Sequence, residues 1–234
     1  MVGCIIIISI AVILLGFYIY FKSQKYDLKE LFLKTAISFL FILVALIATI
    51  NFEKFTVFNV LIITGLLLGL IGDILLDLKF IDLERTKGYT YGGFIVFGVG
   101  HILFITALIM NFYISGGILF IILPIILTVV LSVLTILLEK PLKLEYGKYK
   151  LISFCYAICL FGTCSFSLFL AIQNKFEILP LNMFLVGAVL FAISDLVLSG
   201  TFFGKGKERP IDFILNYVTY YGAQFTLAMV LLFM

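Results

Sequence analysis

The chain has 234 residues, of which 64% are hydrophobic and only 12% are charged, and its net charge is +3. Soluble domains carry about 25% charged residues, so this composition excludes a soluble domain and predicts an integral membrane protein. The small positive charge lies mainly in loops between apolar runs. That distribution is typical of membrane orientation and attraction to anionic headgroups, not of nucleic-acid binding.

Eight apolar runs are each long enough to cross a bilayer as a helix. The predicted fold is therefore an all-α membrane protein with a single polytopic domain over residues 1–234. The first run lacks the basic start and the cleavage site of a signal peptide, so we expect it to be a true span. The runs cover residues 2–21, 31–50, 57–78, 91–112, 115–138, 151–173, 179–200 and 211–233.

Basic residues are unevenly distributed between the loops. The two loops after the second and sixth runs hold Lys54 and Lys175, and Lys34 lies near the basic end of the second run. Cytoplasmic loops carry an excess of Lys and Arg, so the loops after the odd-numbered runs are predicted to be cytoplasmic and both termini outside. Those loops hold Lys22, Lys25, Lys29, Lys79, Arg85, Lys87, Lys140, Lys143, Lys148, Lys150, Lys205, Lys207 and Arg209.

The four cysteines all lie within apolar runs, without a C-x-x-C pair or a histidine cluster nearby. We expect Cys4, Cys155, Cys159 and Cys164 to be packing residues, with no disulfide framework and no structural zinc. The first two runs contain no acidic residue and no histidine, and we assign them no chemistry. The even apolar coating gives no indication of the oligomeric state.

The third run contains the first intramembrane carboxylates. Gly72 directly precedes Asp73, and Asp77 lies four residues later on the same helical face. A charged side chain inside a bilayer costs roughly 2.5–3.5 kcal/mol, so we expect Asp73 to face a polar interior in the cytoplasmic half. Asp77 is either part of the same site or an interfacial anchor. The following segment is either a solvated connector or a site mouth where Arg85 or Lys87 attracts a lipid phosphate.

The fourth run contains His101, the only histidine in the sequence. Phe94, Phe97 and His101 share one helical face by their spacing. The histidine is either a hydrogen-bonded packing residue or part of the site. The lack of a second histidine argues against a metal site.

The seventh run repeats the pattern of the third. Asp195 lies at the same depth as Asp73, and we predict that these two carboxylates form one site. In the last run Asn216, Tyr220 and Gln224 follow each other at intervals of four, a polar stripe able to hydrogen-bond a carboxylate or a substrate oxygen.

The two halves of the sequence show a hint of duplication. Asp73 and His101 are 28 residues apart, and Asp195 and Gln224 are 29 residues apart. Runs one to four and five to eight would then be two parallel four-helix repeats, related by an axis along the membrane normal.

Four motifs follow in order along the chain: Gly72-Asp73 at the end of one span, Phe97…His101 in the next, Phe191…Ser194-Asp195, and the Thr219–Gln224 segment TYYGAQ. Together they resemble the YhhN-like lysoplasmalogenase family. The resemblance implies an eight-helix membrane hydrolase that cleaves the vinyl ether of lysoplasmalogens. The products would be a fatty aldehyde and a glycerophospho-ethanolamine or -choline.

The chemistry of such a cleavage needs one carboxylic acid to protonate the alkene and one carboxylate to stabilise the cation or activate water. Asp73 and Asp195 fit these roles, with Asp77, His101, Asn216, Tyr220 and Gln224 in support and no metal or cofactor required. One alternative is a proton-coupled transporter with Asp73, Asp195 and His101 as a relay. An intramembrane aspartyl protease is disfavoured, because Leu70 replaces the first glycine of the Gly-x-Gly-Asp signature.

Overall fold

The computed structural model describes residues 1–22, 28–50, 55–115, 117–204 and 209–234, and Lys22 is described by its backbone alone. The described ranges contain eight long α-helices and no named strand. Seven of the helices are long and apolar enough to cross a membrane. The eighth has 21 residues but is more polar, because it carries the stripe of Asn216, Tyr220 and Gln224.

The helices agree closely with the predicted apolar runs. Their bounds are α1 Val2–Lys22, α2 Leu28–Ile50, α3 Val57–Ile81, α4 Thr86–Phe112, α5 Leu119–Leu137, α6 Lys150–Gln173, α7 Leu179–Phe203 and α8 Pro210–Val230. The helices α3 and α7 run further than their apolar runs and α4 starts earlier. The segment expected to be a connector after residue 78 is therefore largely helical, and Lys79 is buried in α3.

Six of the helices form a closed ring in the order α2, α3, α4, α6, α7, α8, with α8 returning to α2. The helix α1 packs outside the ring on α2, and α5 packs outside on α6. Both outer helices leave most of their apolar side chains exposed, as expected for a surface that faces lipid. The neighbours α1–α2–α3–α4 in the first half recur as α5–α6–α7–α8 in the second.

Glycines allow α3 and α4 to approach each other closely. A Cβ at Gly65 would lie 2.4 Å from Cε1 of Phe104, and one at Gly72 would lie 2.5 Å from Cε2 of Phe97. A Cβ at Gly100 would lie 3.2 Å from the Gly65 carbonyl oxygen. Apolar side chains gain little by leaving lipid for a helix interface, so small residues that permit such contact are the main means of association in a membrane.

The described basic side chains concentrate at one end of the bundle. Ten of them lie at the end where α3 and α7 terminate, and only Lys175 lies at the other end. The predicted sidedness of this charge distribution stays a prediction. The basic residues Lys25, Lys54, Lys205 and Lys207, and the side chain of Lys22, lie outside the described part of the chain.

We predict that Gly65→Ala lowers the thermal stability of the detergent-solubilised protein. The added methyl would overlap the Phe104 ring, which is itself held between His101 and Phe184 with centroid distances of 6.0 and 5.9 Å. Overpacking of this kind costs about 1–3 kcal/mol. The measurement is the midpoint of thermal unfolding.

The matched control is Gly16→Ala in α1, where a Cβ meets nothing within 4 Å. We expect that variant to be as stable as the parent or slightly more so, because alanine favours helix. Equal midpoints for the two variants would contradict the packing argument.

Candidate active site

A cavity of about 740 Å³ opens at the end of the bundle where α3 and α7 terminate. Side chains from every helix except α1 line it. The predicted residues Asp73, Asp77, Asp195, Asn216 and Tyr220 are all among them. The two aspartates predicted to act together thus lie on different helices and face one cavity, each eight residues before the end of its helix.

Asp73 is the best-supported carboxylate of the site. Its Oδ1 lies 3.3 Å from Nζ of Lys34. Its Oδ2 accepts hydrogen bonds from Ser38 Oγ at 2.6 Å and from Tyr220 OH at 2.7 Å. Asp73 is only 3% exposed, so the cation and two hydroxyls replace the water that this charge would otherwise need.

Asp77 shares the same cation. Lys34 Nζ donates to Asp77 Oδ1 at 3.0 Å, so one lysine joins two carboxylates that are one helical turn apart on α3. The side chains of Lys34 and Asp77 are 8% and 3% exposed. Within the described residues Asp77 Oδ2 has no hydrogen-bond partner, although Asp77 lines the cavity.

Asp195 has a different environment. Its Oδ2 accepts a hydrogen bond from the hydroxyl of Tyr156, which lies on α6. Unlike Asp73, Asp195 is partly exposed, and among the described residues no cation lies within ion-pair distance of it. The Tyr156 ring packs against Phe94 and His101, with centroid distances of 5.5 and 5.8 Å.

The end of the polar stripe on α8 holds Tyr220 in place. Gln224 Nε2 donates to the Tyr220 hydroxyl at 2.9 Å, which in turn donates to Asp73. Gly69 makes room for this amide, because a Cβ there would lie 2.8 Å from Gln224 Nε2. Gln224 does not line the cavity, so the structure places it behind Tyr220 as a positioning residue.

The other two predicted polar residues, Asn216 and His101, do not contact either aspartate in the hydrogen bonds of the described residues. Asn216 Nδ2 donates to the Ser194 carbonyl oxygen at 2.8 Å and contacts Ser194 Oγ at 3.0 Å, which clamps α8 to α7 beside Asp195. His101 does not line the cavity. It lies behind the wall, with Nδ1 3.0 Å from Thr163 Oγ1 and its ring 4.7 Å from that of Phe191.

The remaining cavity wall contains both apolar and charged side chains. Rings and aliphatic side chains such as Phe97, Leu160 and Phe161 line much of it. Two further basic residues also line it: Lys79, whose Nζ lies 3.6 Å from the centroid of the Phe202 ring, and Arg209. The lining thus combines an apolar wall with three basic and three acidic side chains, which suits an amphiphile.

The connection between α5 and α6 forms part of the cavity mouth. Its Glu145 backbone N–H donates to the Phe203 carbonyl oxygen at 2.9 Å, which attaches the connection to the end of α7. Glu139 stabilises it by accepting from Lys150 Nζ at 2.5 Å and from the Tyr146 backbone N–H at 3.2 Å. The hydrogen bond from Lys150 holds the pKa of Glu139 below its usual value.

Sequence reasoning missed the residues that hold the two aspartates. The sequence places Lys34 only near the basic end of the second run, yet Ser38 follows it on the same helical face and both contact Asp73. A hydroxyl one turn after an intramembrane lysine was the available signal. Tyr156 gives no such signal, because tyrosine is common near the ends of membrane helices.

Within the described ranges no group of three His, Cys, Asp or Glu side chains could hold a metal ion.

We predict that Lys34→Met destabilises the protein by about 3–5 kcal/mol, because it leaves two buried carboxylates without their cation. Thermal unfolding in detergent at neutral pH measures the loss. Lys87→Met, at an exposed position near the start of α4, should leave the midpoint unchanged. A parent-like midpoint for Lys34→Met would show that the buried cation does not compensate the two carboxylates.

Comparison with known proteins gives one family. A model described as the YhhN family matches residues 30–231, which is most of the chain and includes every residue of the site. A search of curated proteins and a search of solved structures gave no match. The match over this length shows that the chain belongs to the YhhN family.

Proposed function

We propose that this protein is a membrane hydrolase that cleaves the vinyl ether bond of lysoplasmalogens. The observation that carries the proposal is that two aspartates from different helices, Asp73 and Asp195, face one cavity that apolar side chains and three basic side chains line. Membership of the YhhN family is consistent with a membrane hydrolase. The products would be a fatty aldehyde and a glycerophospho-ethanolamine or -choline.

The reaction needs a proton on carbon before water can react. A carboxylic acid protonates the outer carbon of the alkene, which forms an oxocarbenium ion on the inner carbon. Water adds to that carbon and gives one proton back to a carboxylate. The hemiacetal then releases the glycerol oxygen, which takes the second proton of the water, and the aldehyde remains. Two carboxyl groups at one cavity match this demand, as they do in glycoside hydrolysis.

The cavity fits an amphiphilic substrate. We place the alkenyl chain against Leu160, Phe161 and their apolar neighbours, and the phosphate towards Lys79 and Arg209 at the mouth. With the predicted orientation, the headgroup would face the cytoplasmic side of the membrane, and the substrate would enter from the surrounding lipid. The residues that support Asp73, namely Ser38, Tyr220 and Gln224, would keep its carboxylate in a fixed position.

The alternative, a proton-coupled transporter, has less support. Transporter sites are commonly built from broken helices near the membrane midplane. The helices here run without interruption past both aspartates, and Pro124 is the only proline in the interior of a described helix. His101, which the relay would need, lies behind the cavity wall.

The direct test is aldehyde release from a 1-alkenyl lysophospholipid by the purified protein in detergent. We expect release by the parent, and a loss of about 100-fold or more in Asp73→Asn and in Asp195→Asn, the range typical of acid–base catalysis. Asp82→Asn, near the surface after α3, is the matched control and should keep full activity.

Each variant should first show parent-like helix content by circular dichroism. No release by folded parent protein on any headgroup would exclude the proposed substrate. Uptake into vesicles that depends on a pH gradient would then favour the transporter. Release that survives both aspartate substitutions would mean that the reaction takes place elsewhere.

A second test concerns Asp77. Its Oδ2 has no partner among the described residues, and we expect it to accept a hydrogen bond from the free sn-2 hydroxyl of a lysolipid. Asp77→Leu removes that acceptor and should lower kcat/KM for the lysolipid about tenfold, the effect of one buried hydrogen bond. The rate on an sn-2-acylated substrate, which lacks the hydroxyl, should change much less.

The control for Asp77 is Ser199→Ala, which changes another polar group of the cavity lining on α7. We expect it to leave the ratio of the two rates unchanged. An equal loss on both substrates in Asp77→Leu would mean that Asp77 acts only through Lys34.

A further inference from the structure

Two helix pairs of the two halves correspond at one sequence offset. The helix α3 covers Val57–Ile81 and α7 covers Leu179–Phe203, so both ends differ by 122 residues. The helices α2 and α6 begin at Leu28 and Lys150, again 122 residues apart. Nothing in the loops requires this agreement, which points to two copies of one unit.

Helix contacts correspond at the same offset. Gly65 and Gly187 differ by 122, and a Cβ at either would meet the following helix, at 2.4 Å from Phe104 and 3.0 Å from Leu227. Gly100 and Gly222 also differ by 122. A Cβ at Gly100 would lie 3.7 Å from Leu68, and one at Gly222 would lie 3.7 Å from Leu190, which is 122 residues after Leu68.

The two aspartates and their partners follow the same rule. Asp73 and Asp195 are 122 residues apart, and so are Lys34 and Tyr156. Each partner lies on the helix before its aspartate: Lys34 contacts Asp73 at 3.3 Å, and Tyr156 donates to Asp195. Equivalent positions of the two halves therefore hold the two carboxylates, one with a cation and the other with a neutral hydroxyl.

We propose that this single difference assigns the chemical roles: Lys34 keeps Asp73 ionised as a fixed negative charge, and Asp195, held by Tyr156, carries the proton that is transferred. The assignment rests on the proposed hydrolase function for its chemistry. Its placement of the proton rests only on the contacts of the two aspartates.

The environment of each aspartate supports its role. Both oxygens of Asp73 are already engaged, by Lys34 on one side and by Ser38 and Tyr220 on the other. A carboxylate that accepts three donors, one of them a cation, is stabilised in its ionised form.

Asp195 has no such compensation. Tyr156 and Cys164 on α6 are its titratable neighbours. The other described groups of the cavity lining that can titrate or carry charge are Lys34, Asp73, Asp77, Lys79, Tyr146, Arg209, Tyr217 and Tyr220. A half-buried carboxyl that faces a negative charge and has no cation of its own is favoured in its neutral form. Tyr156 occupies Oδ2, which leaves Oδ1 to carry the proton.

The proton balance then needs only one titrating carboxyl. The bond from Asp195 Oδ1 to its proton breaks as the new carbon–hydrogen bond forms, and Tyr156 stabilises the resulting carboxylate. The ionised Asp73 stabilises the oxocarbenium ion. Water then adds to the cation and its proton returns to Asp195, so that the acid of the first step is the base of the second. Lys34 and Tyr156 act through the aspartates and are positioning residues.

Infrared spectroscopy of the purified parent protein at neutral pH tests the placement of the proton without any substrate. A protonated carboxyl gives a carbonyl stretch that an ionised one lacks. We expect the difference spectrum between parent and Asp195→Asn to contain this band, and the spectrum of Asp73→Asn to retain it. A band that depends on Asp73 instead, or no band that depends on either residue, would overturn the assignment.

The positioning residues give a second readout. Tyr156→Phe should raise the frequency of the Asp195 band, because it removes a hydrogen bond to the carbonyl oxygen, whereas Tyr91→Phe at the surface should not. This comparison tests the role of Asp195 even when the Asp195→Asn variant fails to fold. Lys34→Met should add a second band that disappears in Lys34→Met/Asp73→Asn, and Lys34→Arg should not add it. Unchanged spectra in Tyr156→Phe and Lys34→Met would overturn both roles.

The outcome is separate from that of the aldehyde assay. An Asp195 band without aldehyde release would leave the assignment standing and reject the substrate. Aldehyde release with the band on Asp73 would leave the function standing and reverse the roles.

Discussion

The structure depends on a lysine held between two carboxylates inside an apolar bundle. Lys34 lies within ion-pair distance of both Asp73 and Asp77, and the two carboxylates compensate its charge at this low exposure. The three groups come from two helices, so the cluster fixes the position of α2 against α3. The cluster contains one basic and two acidic side chains, so it favours a negative potential at the cavity. The hydroxyl of Tyr220 on α8 donates to Asp73 within it.

Glycines on α3 determine how closely neighbouring side chains pack around the Lys34–Asp73–Asp77 cluster. Gly72 lets the Phe97 ring lie across α3 directly beside Asp73, and Gly69 leaves space for Gln224 behind Tyr220. The Phe97 ring then meets Phe191 and Tyr220 at centroid distances of 6.2 and 6.3 Å. These rings pack an apolar surface against Tyr220, whose hydroxyl donates to Asp73.

The number of helices, their bounds to within a few residues, and the convergence of Asp73 and Asp195 could be predicted from the sequence. A carboxylate inside an apolar run is expected to face a polar interior. Two carboxylates at equal depth are therefore expected to face the same cavity. The partners could not be predicted in this way. A lysine near a helix end is explained equally well by membrane orientation, so the role of Lys34 requires knowing which face of α2 meets α3. The sequence predicts that His101 needs a hydrogen-bond partner, because it is a polar side chain within a span. It does not predict that the partner is Thr163 or that His101 lies outside the cavity lining.

The two proposed repeats would supply two equivalent carboxylates, but the proposed reaction needs them to be different. A cation at both equivalent positions would hold both aspartates ionised, and no acid would be present to protonate the alkene. A tyrosine at both would leave two uncompensated carboxyls competing for protons, and no fixed negative charge would stabilise the cation that follows. With Lys34 in one half and Tyr156 in the other, each half provides what the other lacks. Under the proposed duplication, the difference between Lys34 and Tyr156 at one pair of equivalent positions is therefore sufficient to give the site a defined acid.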